Sequence, residues 1–61
     1  MDNYTAVGIA EGFVEAETPE QIIEAWQHLI NTGVAWTMQG WFGRTATQLI
    51  EMGVCTRPTN G

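Results

Sequence analysis

With 61 residues, three Trp and a single cysteine, the chain has room for one domain whose stability rests on a small, aromatic-dense core, because a domain this short withdraws only about 60% of its unfolded surface from water. A formal net charge of -5 excludes direct binding to duplex nucleic acid, for which Lys and Arg supply most of the affinity. The lone Cys55 excludes an internal disulfide, and the lack of a long apolar stretch or basic leader predicts a complete cytosolic product that does not enter a membrane.

The first predicted element is a helix over residues 2–14, with Asp2 as N-cap and Tyr4, Val7, Ala10 and Val14 at helical spacing, weakened by Gly8 and Gly12. The second helix has stronger signals. Thr18 is a good N-cap, Pro19 suits the first helical position, and Gln21 completes a T-x-x-Q capping box. Ile22, Ile23, Trp26, Leu29 and Ile30 recur at three- and four-residue steps and form one apolar stripe. Gly33 stops this helix, with Val34 folding back on Leu29. The segment Leu49 to Val54 repeats the pattern of Leu29 to Val34, so two helices are expected to end by one device.

Between them, Val34 to Gln39 reads as a short helix or single turn closed by Gly40. Gly43 then opens the last helix, which runs to about Met52 with Ala46, Leu49, Ile50 and Gly53 inside. The expected fold is all-α, a compact bundle of three to four short helices over residues 1–55, followed by a flexible tail over residues 56–61.

Charge divides unevenly along the chain. Residues 1–30 hold Asp2, Glu11, Glu15, Glu17, Glu20 and Glu24 without Lys or Arg, whereas residues 31–61 set Glu51 against Arg44 and Arg57. An anionic ligand is therefore pushed toward the second half, and two copies can attract head to tail. The same split also serves as a solvated acidic face that keeps the chain in solution.

Catalytic parts are scarce, which predicts a protein that is not an enzyme. His28 is the only histidine, lysine is absent, and Cys55 has no partner at a metal-ligating spacing, so no hydrolytic triad, metal site or cofactor is expected. His28 is one turn after Glu24 and reads as a surface pair with it. Glu20 and Glu24 lie at a helix start, where negative charge is stabilising without any substrate.

Binding is better provided for. Trp36 to Thr45 puts three aromatics, two glycines and an arginine into ten positions. Free amides at a helix start beside the Arg44 guanidinium suit an anion such as phosphate. Trp36, Trp41 or Phe42 can stack on a base, and Gln39 and Thr45 can add hydrogen bonds. Core packing competes for the same residues: Trp26 and Trp36 are expected inside, and Trp41 and Phe42, being adjacent, cannot both point inward. An exposed aromatic on so small a domain more often marks a protein contact, self-association included.

The pattern A-W-x-x-L-I-x-T-G-x-A-W-x-x-Q-G-x-x-G-R-x-A-x-x-L-I-x-x-G, from Ala25 to Gly53, resembles a family of short bacteriophage and prophage proteins of unknown function. The resemblance covers roughly residues 20–55. It implies viral origin and expression in the host bacterial cytoplasm, and it brings no catalytic residue. The expected function is a non-enzymatic, phage-encoded binding protein that counteracts host defence by occupying a host protein. The contact residues are then Trp36, Gln39, Trp41, Phe42, Arg44 and Thr45. Two alternatives stay open: an oligomer that sequesters a nucleotide immune signal at a subunit interface, and a small structural or virion component.

Overall fold

The computed structural model describes residues 1–38 and 40–58. Three α-helices, α1 (Asn3–Glu11), α2 (Pro19–Thr32) and α3 (Gly40–Glu51), are joined by a loop and by a 3₁₀ turn at Val34–Trp36. No strand occurs among the described residues. The expected all-α bundle is the observed fold. Helix α1 packs on α2, and the 3₁₀ turn packs on both α2 and α3.

Asp2 caps α1 as expected, its Oδ1 accepting from the Thr5 amide at 2.9 Å. Hydrogen bonding from Thr5 holds the Asp2 carboxyl below the usual carboxylate range. The inner face of α1 differs from the expected one. Ala6 and Ile9 are buried while Tyr4 is 84% exposed, because at 100° per residue Tyr4 stands nearly opposite them. Of the expected stripe, Val7, Ala10 and Val14 are half-buried against the core and Tyr4 alone stands outside it, while the fully buried line runs through Ala6 and Ile9. The helix also ends at Glu11, three residues early, with Gly12 left-handed at φ +88° as its C-cap.

Helix α2 starts as the sequence prescribes. The Gln21 amide donates to Thr18 Oγ1 at 3.2 Å, and Pro19 opens the first turn. The reciprocal half of the box shifts by one residue, since Gln21 Oε1 accepts from the Glu17 amide at 2.7 Å. Trp26, Leu29 and Ile30 are buried, whereas Ile22 and Ile23 remain 45% and 41% exposed. His28 does not pair with Glu24. Its Nε2 lies 2.7 Å from Asn3 Oδ1 and ties α2 to the first turn of α1.

The shared stop is present at Gly33 and Gly53, both left-handed at φ +79° with the glycine amide donating three residues back at 3.1 Å, and its fuller form, with two further amides on one carbonyl, occurs at Gly12 and Gly53. At Gly12 the amides of Phe13 and Val14 both donate to the Gly8 carbonyl, at 2.8 and 3.0 Å. At Gly53, which is left-handed at φ +79° and exposed rather than part of an inner stripe, the amides of Val54 and Cys55 both donate to the Leu49 carbonyl, at 2.9 and 3.1 Å. Each stop reverses the chain onto the fold. The first seats Val14 on Gly8, and the second buries Cys55 at 3% exposure. Gly33 has the simpler form: the next amide, of Val34, donates to Thr32 Oγ1 at 3.4 Å, and the chain continues into the 3₁₀ turn.

Beyond Cys55 the chain stays tied to α2. Thr56 donates its amide to Gln27 Oε1 at 2.8 Å and accepts from Gln27 Nε2 at 3.0 Å, so the carboxamide pairs with both backbone groups as a neighbouring strand would. Residues 59–61, expected in the tail, lie outside the described residues.

The centre of the bundle is aromatic. Trp26 of α2 meets Phe42 and Trp41 of α3 at ring separations of 5.6 and 6.2 Å, the latter edge to face. Phe42 is 1% exposed and fully committed to the core. Rings, in place of close backbone contact, therefore set the distance between α2 and α3.

Candidate functional site

Helix α3 begins at Gly40, not Gly43, so Gly40 starts a helix instead of closing a turn and Arg44 sits one turn inside it. The consequence for the expected anion site is direct. The free amides belong to the first turn from Gly40, and the Arg44 backbone is not among them. The guanidinium nevertheless folds back toward that end, with Nη1 3.3 Å from where a Cβ on Gly40 would stand.

Trp36 is not a core residue. The 3₁₀ turn directs Ala35 inward at 0% exposure and leaves Trp36 45% exposed, since successive residues of such a turn are about 120° apart. The indole lies against Gly43, whose added Cβ would meet Trp36 Cδ1 at 3.2 Å. Gly43 thus serves close packing, not helix initiation.

These shifts divide the expected contact residues. Trp36 and Arg44 line one open groove of about 480 Å³ with Met38, Gly40, Gly43 and Thr47. Trp41 and Thr45, about 100° further around α3, do not line it. Trp41, 37% exposed, stacks on Phe42 with ring centres 4.1 Å apart. Of that adjacent pair, Phe42 points inward and Trp41 reaches the surface. Gln39 lies outside the described residues.

A second groove, also about 480 Å³, runs between α1 and the 3₁₀ segment and has no counterpart in the expected site. Val7, Val14 and Val34 are half-buried along it, and Tyr4 and Phe13 flank it at 84% exposure each. Met38 lines both grooves and joins them into one face. The missed signal for Phe13 is its place directly after Gly12, where a helix stop throws the side chain outward. Tyr4 was missed because its size suggested the core.

The remaining reactive groups are occupied structurally. Burial pushes the Cys55 thiol above its usual value, so it stays protonated, and His28 is engaged with Asn3. Among the described residues no group of His, Cys, Asp or Glu is arranged to hold a metal ion, and no helix is long and apolar enough to cross a membrane.

The chain belongs to a family whose model, described as a domain of unknown function (DUF7417), matches residues 11–60. No curated protein and no solved structure matches it. The matched segment contains the whole groove around Trp36 and Arg44, whereas Tyr4 and Val7 of the second groove precede it.

Proposed function

We propose that the chain is a non-enzymatic binding protein that occupies a protein partner through the face on either side of Met38. In line with its resemblance to phage proteins, the proposed partner is a host bacterial protein of antiviral defence. The observation that carries the binding surface is the exposure of Tyr4 and Phe13, 84% each, beside an apolar groove. Aromatic side chains standing free next to a concave apolar surface are the anchors that protein interfaces use. Engagement of His28 with Asn3 and burial of Cys55 support a role without turnover.

Affinity capture from host extract with the full chain tests this. One host protein is expected to be retained, and to fall about thirtyfold in affinity with Phe13→Ala, the effect of losing a hot-spot anchor worth about 2 kcal/mol. Retention of no host protein, or retention indifferent to both Phe13→Ala and Met38→Glu, would overturn the proposal.

Nucleotide sequestration is the second reading, favoured by the shared groove of Trp36 and Arg44. Calorimetry against cyclic and linear nucleotides decides it. Heat abolished by Arg44→Gln supports it, and no heat with any nucleotide ends it.

A further inference from the structure

The groove between α1 and the 3₁₀ segment has a mostly apolar lining with one carboxylate in it, and it belongs to the acidic half of the chain. Among the described residues its only charged lining residue is Glu11. Asp2 and Glu15, next in sequence to the lining residues Asn3 and Val14, are both exposed, and residues 1–30 supply no Lys or Arg, the N-terminal ammonium beside Asp2 being the one fixed positive charge there. The one basic side chain in that half, His28, is held at Asn3.

We infer that this groove docks a cationic amphipathic helix: a partner segment whose apolar stripe fills the space between Tyr4 and Phe13 and whose flanking Lys or Arg side chains meet Glu11 and the carboxylates around it. The inference rests on taking the Met38 face as a partner surface and gives that partner its chemistry. Charge selects among the occupants. A two-fold symmetric pairing with a second copy would set acidic half against acidic half, and a head-to-tail copy would bring only Arg44 and Arg57 with Glu51 among them, a weaker complement than a segment edged with Lys or Arg. Nucleic acid and anionic lipid are repelled for the same reason. Secondary structure selects again: the described residues offer no strand edge for an extended peptide to join, whereas a groove beside a helix accepts residues at i, i+3, i+4 and i+7 of an incoming helix.

The test uses labelled synthetic peptides of about 15–20 residues, a length that helps a helix form on docking. One carries a Leu stripe with Lys edges, a second has Glu edges, and a third keeps Lys but replaces Leu by Ser. Fluorescence anisotropy with the full chain is expected to show binding of the first and binding about tenfold weaker or worse for the others. Affinity for the first peptide falls severalfold between about 50 and about 500 mM salt. Phe13→Ser, which alters an exposed side chain, weakens it about tenfold. Amide shifts in nuclear magnetic resonance are expected at Val7, Glu11, Phe13, Val14 and Val34.

Equal affinity for the Glu-edged peptide, shifts confined to Glu20 and Glu24 of α2, or a dimer in sedimentation that excludes the peptide would overturn the assignment. Capture from host extract separates it from the broader proposal. A host protein held through Met38 but indifferent to Glu11→Lys overturns the cationic-helix assignment and leaves partner binding standing. No host protein held at all overturns both.

Discussion

A methyl group added at Gly8 would stand 2.5 Å from Val14 Cγ2 and 3.3 Å from Val14 Cβ, a clash with a β-branched side chain that has little freedom to turn away. Gly8→Ala therefore costs stability even though alanine is the better helix former by about 1 kcal/mol. Overpacking at the upper part of about 1–3 kcal/mol exceeds that gain, and thermal unfolding is expected at a midpoint several degrees lower. A midpoint at or above that of the parent chain would mean that Val14 is not seated there. Cys55 gives a second test at this scale. Burial raises its folded-state pKa above the ordinary 9.0, so its contribution is complete below that value and is lost as pH rises toward the folded-state pKa. The unfolding free energy from denaturant titration should hold between about pH 7 and 8 and fall above about pH 9, by at most about 1.4 kcal/mol per pH unit. Cys55→Ala should remove that part of the fall.

Elements were legible where a local signal has one physical meaning. Thr18, Pro19 and Gln21 start α2 because their groups meet the free amides of a first turn, which needs no knowledge of the rest of the chain. Gly33 and Gly53 likewise stop helices. Orientation was less legible, because it depends on what faces what. The buried side of α1 is set by Ala6, a residue with little apolar weight, and the 3₁₀ turn sends Ala35 inward where the larger Trp36 was expected. Of the expected contact segment, Trp36 and Arg44 share a groove, whereas Trp41, Phe42 and Thr45 were grouped with them by adjacency along the chain, and a helix separates adjacent residues by 100°. The tether between Gln27 and Thr56 had no sequence signature, since 29 residues separate its ends. Gln27→Ala is expected to free the Thr56 amide to exchange with solvent and to cost about 1–2 kcal/mol. Unchanged protection of that amide would show that the tether contributes nothing.

The whole chain exposes 4152 Å², close to the roughly 3,900 Å² expected of a folded monomer of its mass. Tyr4 and Phe13 are thus exposed on a normally compact fold, not through loose packing. A standard interface covers about 800 Å² on each partner, roughly a fifth of this surface. That is enough for one partner to cover both grooves, which share Met38. Acidic charge concentrated in the first half then favours encounter with a basic surface and makes association sensitive to salt. Hydroxyl-radical footprinting tests this account most directly, because Phe13, Trp36 and Met38 react readily when exposed and Met52, 72% exposed and bordering neither groove, serves as an internal standard. In the complex with the captured partner, oxidation of Tyr4, Phe13, Trp36 and Met38 is expected to fall severalfold while Met52 reacts as in the free chain. Protection of Met52 with Phe13 and Met38 still fully reactive would place the partner elsewhere and contradict the account.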